Sequence, residues 1–195
     1  MIPLEPISLE TKLFFLSAVE FGSRLFRGPV APGGQAMDDW LELVTLAPAE
    51  LVNMLPDDRP VLPGMEPDFA LPALLARLTE MDDATQAGQL PEAFTRLFGP
   101  ATSAAPCAAD EADGAMSAMA HQLALDLEYL IALLAKGFLS GAPDMASQAG
   151  KQCREGLAPR LADLTGHLAA ADPTGVFAAA AAVMLHVVRD LGQKL

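Results

Sequence analysis

Histidines, cysteines and paired carboxylates supply most protein chemistry, and this chain uses them sparingly. Its three histidines, His121, His167 and His186, stand 46 and 19 residues apart. None lies in an HxxxH, HExxH or ExxH pattern that would put two ligands on one helix face. The two Glu-x-x-His pairs of a di-iron bundle are also missing. Each histidine therefore reads as a surface residue or a satisfied interfacial one. Cys107 and Cys153 form no CxxC pair, and nothing local to Cys107 supplies the base that a thiol nucleophile requires. The carboxylate pairs Asp57-Asp58, Asp82-Asp83 and Asp110-Glu111 fall in or beside turn-prone segments, where such pairs cap helices and keep a surface solvated. Gly33-Gly34 is followed by Gln35 rather than GK[ST], and no GxSxG elbow occurs. The expectation is a protein that is not an enzyme and holds no metal or organic cofactor.

Composition narrows the alternatives. The chain has 195 residues, 52% hydrophobic and 19% charged, which is ample apolar surface for one packed domain and argues against intrinsic disorder. Acidic residues outnumber basic ones by 25 to 12, giving a net charge of −13. That field repels phosphate backbones, so nucleic acid is not an expected partner, whereas a basic partner is allowed. Mean hydropathy is +0.31, yet the longest uninterrupted apolar run, Val176 to Leu185, is far short of the ~20 residues that span a bilayer. The opening MIPLEPISLETK carries Glu5 and no basic n-region. A cytoplasmic chain without membrane insertion, its two thiols reduced, is expected.

The elements that must position any site are helical. Strand-like alternation is nearly absent, and Ala, Leu, Met, Glu and Gln dominate. A first helix is expected from about Ser8 to Phe26, capped by Ser8, with Glu10 in its first turn and Leu13, Leu16, Phe21 and Leu25 as apolar positions. After GPVAPGG come two helical patterns, MDDWLELVTL and PAELVNML. Four prolines between Leu55 and Pro67 then impose an extended loop, at about 55–67. ALPALLARLTEM and the short LPEAFTRLF follow, the latter ending at Gly99-Pro100. A small-residue acidic loop is expected at about 99–114. Three long helices complete the chain, at about Ala115–Phe138, Asp144–Ala170 and from Pro173 onward. Leu123, Leu127, Leu130, Leu134 and Phe138 form a core stripe on the first of these, and Pro159 kinks or divides the second. The fold class is all-α, one helical bundle over residues 1–195.

Several segments taken together resemble a known family. FTRLFGPATSAAP (Phe94 to Pro106) is similar to the Y/F/W-x-x-L-F motif and following loop of the TorD/DmsD/NarJ family, cytoplasmic chaperones of molybdenum-cofactor oxidoreductases. Phe94, Leu97 and Phe98 carry the match. HQLALDLEYLIALL (His121 to Leu134) resembles the family helix that begins after its E-P-x-D-H motif. The stretch Cys153 to Met184 is similar to the closing pair of helices, and FFLSAVEFGSRLFRGP to the first helix. One departure is plain: aligned through Asp126, the E-P-x-D-H slots fall on Ala118, Met119, Ala120, His121 and Gln122.

The resemblance implies a TorD-like helical bundle that binds the precursor of a molybdopterin oxidoreductase, through its twin-arginine signal peptide or its apoenzyme body. A twin-arginine peptide offers basic residues and an apolar segment. A groove of Leu, Phe and Met suits the latter, and a rim of carboxylates the former. The expected partner-binding residues are Phe94, Leu97, Phe98, Asp110, Glu111, Asp113, His121, Gln122, Asp126 and Glu128. Phe94, Leu97 and Phe98, spaced i, i+3, i+4, share one helix face and are expected to serve packing as much as binding. The protein would act as a monomer or homodimer. The alternative is a helical adaptor or regulatory module for another partner.

Overall fold

A computed structural model describes residues 7–27, 83–99 and 111–195, with residues 83–88 and 111–115 described at the backbone. The expected helices between residues 37 and 81, the proline-rich loop at 55–67, and residues 100–110 with Cys107 lie outside the described residues. Among the described residues the fold is all-α, with no strand. In chain order the elements are α1 (Leu9–Arg27), α2 (Asp83–Phe98), α3 (Glu111–Leu139), α4 (Pro143–Lys151), a π-helical turn (Gln152–Leu157), α5 (Ala158–Ala171) and α6 (Val176–Lys194).

Helix α1 begins where its cap predicts. The Thr11 backbone N–H donates to Ser8 Oγ at 3.1 Å, satisfying one of the orphan donors of the first turn. Of its expected apolar positions, Phe21 and Leu25 are buried and Leu16 packs against the core, and only Leu13 departs. Phe14, Phe15, Ala18, Val19, Phe21, Gly22, Leu25 and Phe26 face the core, whereas Leu13 is exposed. The aromatic side chains carry more apolar area than the leucines, and they decide which face turns inward.

Two helices start earlier than their sequence pattern suggests. Helix α2 extends back to Asp83 with Pro91 inside it, because a single missing donor removes one ladder bond and the flanking residues retain theirs. Gly99, at φ 77°, ends it: its N–H donates to Thr95 O at 2.9 Å in the left-handed conformation that glycine adopts freely. Helix α3 starts at Glu111, so the last four residues of the expected acidic loop are helical. Acidic residues at 111 and 113 suit the positive end of a helix dipole.

The run from Pro143 to Ala171 is a continuous helix with one wide turn. Pro159 has no N–H, and its ring crowds the carbonyl four residues earlier. The chain responds just upstream, where the π-helical turn Gln152–Leu157 closes with the Ala158 N–H donating to Cys153 O. The expectation of a division at Pro159 is met in this form. Helix α6 then opens through a built cap: Asp172 accepts the Thr174 N–H at 2.9 Å and the Ala178 N–H at 2.9 Å, around Gly175 at φ 71°.

Packing follows from the contacts near the helix ends. Lys12 lies over the Phe138 ring, and Arg27 pairs with Glu128, so α1 runs antiparallel to α3. Phe177 meets Phe94 and Phe98, and Lys194 lies over Phe15, so α6 runs antiparallel to α1 and reaches α2 at its start. Helix α6 is the centre of the bundle. It and Met116–Leu139 of α3 are long and apolar enough to span a membrane by length and composition, each with mean hydropathy 1.3. Interruptions by single polar residues hid this from the count of uninterrupted apolar residues. In α6, 78% of the apolar window is buried inside the fold, as a core helix requires; in α3 the share is 39%.

Candidate functional site

Phe94, Leu97 and Phe98 lie on one face of α2, as their spacing requires, and all three are buried. Phe98 stands 5.0 Å from Phe94, 5.7 Å from Phe177 and 6.3 Å from Phe26, ring centroid to ring centroid. These separations, with edge-on and tilted rings, are those that aromatic pairs favour. The motif thus ties α2 to α1 and α6, and its side chains reach a partner only if α2 moves.

Of the acidic residues, Asp110 lies outside the described residues, and Glu111 and Asp113 occupy the first turn of α3. His121 and Gln122 are exposed about two to three turns further along. Gln122 Nε2 donates to Asp126 Oδ1 at 3.0 Å, and Arg160 of α5 forms an ion pair with the other oxygen of the same carboxylate. Glu128 pairs with Arg27 and accepts a long hydrogen bond from Ser23 Oγ at 3.5 Å, both on α1. Two positions along a helix differ by about 200° in direction. Asp126 therefore faces α5 and Glu128 faces α1. The structure joins Gln122 and Asp126 on one side of α3, while His121, seven positions before Glu128, lies on the side of Glu128.

Arg27 and Arg160 were absent from the sequence reading of the site. They stand about 100 and 34 residues from their carboxylates, beyond any local spacing rule, so only the fold brings them there. The Arg27–Glu128 pair is half-exposed on both sides, a kind worth about 0–1 kcal/mol, whereas the Asp126 carboxylate is largely buried.

The remaining chemistry-bearing groups are dispersed. Cys153 is fully buried in the π-helical turn, and burial pushes its thiol up to about 12, against the opposing pull of Arg154. It stays protonated at neutral pH and has no nucleophilic character there. Arg154 donates to the Gly192 carbonyl oxygen, closing the end of α6. His167 Nδ1 bonds the Asp163 carbonyl at 2.8 Å on the exposed face of α5. Among the described residues no three His, Cys, Asp or Glu side chains gather as a metal site.

The sequence reading also passed over Leu125, Tyr129 and Leu139, three exposed large apolar residues on α3. Their signal was present as a second apolar stripe, displaced from the core stripe. Comparison with known proteins finds no matching family model, no matching curated protein and no matching solved structure.

Proposed function

We propose that the protein is a helical binding chaperone of the TorD/DmsD/NarJ type, which holds the precursor of a molybdopterin-dependent oxidoreductase in the cytoplasm before export and performs no chemistry itself. The observation that carries the reading is a convergence. The segments that resemble the family are scattered from Phe14 to Met184, and they meet at one point in space. Phe26 comes from the opening segment, Phe94 and Phe98 from the motif, and Phe177 from the closing pair, all in one aromatic cluster. Leu127, from the fourth segment, packs at the α1–α6 crossing beside Gly22 and Met184.

The binding surface in this reading is the start of α3, from Asp110, Glu111 and Asp113 to the exposed His121 and Gln122 and the half-buried Asp126. Carboxylates there would draw the arginines of a signal peptide, and apolar contact would hold its hydrophobic segment. The test is a titration of a labelled basic-apolar peptide against the wild type and a triple charge reversal, Asp110→Lys, Glu111→Lys and Asp113→Lys. Screening acts over about 8–10 Å at moderate salt, so binding should weaken with salt while an apolar remainder persists. The reversal should slow association at low salt and leave the helical content intact. Equal association rates for the two proteins at low salt would contradict this placement of the site.

A further inference from the structure

The solvent face of α3 is not what an ordinary surface helix presents. Ala118, Gln122, Leu125, Tyr129, Ala132, Lys136 and Leu139 are all exposed, and they recur at alternating steps of four and three. Leu125 is 40% exposed, Tyr129 45% and Leu139 70%. An outward face is normally polar, and the core stripe Leu123, Leu127, Leu130 and Leu134 already occupies the inward one. Alternating spacing of this kind is the seam by which one helix packs along another.

We propose that this seam docks a second copy of the same chain, α3 against α3, antiparallel about a twofold axis at Tyr129. A twofold interface must be self-complementary: where one residue meets another, the reverse contact also occurs. The seam satisfies this condition in an antiparallel register. Tyr129 meets its own copy. Leu125 then lies opposite Ala132, and Leu139 opposite Ala118, so each large side chain faces a small one. The remaining pair sets Lys136 against Gln122. Gln122 Nε2 already donates to Asp126 at 3.0 Å, which leaves its carbonyl oxygen to receive the ammonium of the other copy. No ion-pair partner for Lys136 occurs among the described residues. Gln148 Nε2 donates to the Tyr129 hydroxyl at 2.6 Å and holds the central ring beside the seam. A parallel arrangement would instead set Leu125 against Leu125, Ala132 against Ala132, and Lys136 against Lys136, which repels.

The size of the contact sets its strength. Residues 118 to 139 span about 33 Å at 1.5 Å per residue, and a single helix pair of that length, roughly 12 Å wide, buries about 800 Å² over both copies. That is below the standard interface, and each copy carries a net charge of −13. The dimer is therefore weak and transient, populated only at high protein concentration.

Sedimentation velocity from roughly 1 to 300 µM reads this directly. The wild type should pass from monomer to dimer across the range, and Leu125→Asp with Tyr129→Asp should remain monomeric with unchanged helical content. Orientation is read by oxidative crosslinking in a Cys107→Ser background, since buried, protonated Cys153 does not compete. Tyr129→Cys should couple to itself, and Gln122→Cys only to Lys136→Cys. A wild type that stays monomeric at the highest concentration would overturn the proposal. So would a dimer that survives the double aspartate variant, or self-coupling of Gln122→Cys.

Discussion

Phe98→Ala should lower the stability of the bundle by about 3–5 kcal/mol, the cost of emptying a fully buried aromatic site. Phe98 is 2% exposed and touches three other rings, so the loss includes aromatic contacts as well as the cavity. At roughly 2–4 °C per kcal/mol for a chain of this length, the thermal midpoint should fall by about 6–20 °C. Thermal unfolding followed by circular dichroism checks it. A midpoint within a degree or two of the wild type, combined with lost partner binding, would mean that the ring anchors a partner and does not hold the core.

The second large effect is expected at Gly22, where α1 crosses α6 over α3. A Cβ there would overlap Met184 Sδ, stand 2.9 Å from Met184 Cγ and 3.4 Å from Leu127 Cδ1. Alanine is favoured over glycine inside a helix by about 0.5–1 kcal/mol. Overpacking costs about 1–3 kcal/mol, and Met184 and Leu127 are both fully buried, which leaves the flexible methionine little room to retreat. Overpacking wins, so Gly22→Ala should destabilise, and Gly22→Leu should cost more than about 3 kcal/mol. Shortening the neighbour should change the sign of the first effect: in a Met184→Ala background, Gly22→Ala should be neutral or stabilising. Chemical denaturation of the four proteins measures the coupling. Gly22→Ala that stabilises the wild type would contradict the tight crossing.

Much of the fold was legible from periodicity and punctuation. The stripe from Leu123 to Phe138, the cap at Ser8, the stop at Gly99 and the interruption at Pro159 each rest on a local rule, and each occurs as the rule requires. On α1 the inward turn of Phe21 and Leu25 was legible, but the exposure of Leu13 was not, because Leu13 and Phe14 are adjacent and both apolar. Only the size of the partners across α3 and α6 decides which turns inward. Helix starts at Asp83 and Glu111 were missed because Pro91 and the small, acidic run before Ala115 signal a loop locally. The candidate site was legible only in part. Spacing placed Phe94, Leu97 and Phe98 on one face, and burial shows that this face is the inner one. The pairing of Asp126 with Arg160, and of Glu128 with Arg27, depends on which helices lie beside α3. No local spacing rule supplies that information.

The central claim, that the protein holds a molybdoenzyme precursor, is tested most directly by capture. Tagged protein would be used to retrieve partners from a lysate of its own cell, with the retained proteins identified and their amounts compared. The account predicts a large molybdopterin-binding subunit, still carrying its twin-arginine signal, as the main retained protein, displaced by excess signal peptide. A different protein as the main partner, or a molybdopterin subunit that excess signal peptide and apoenzyme both fail to displace, would contradict it.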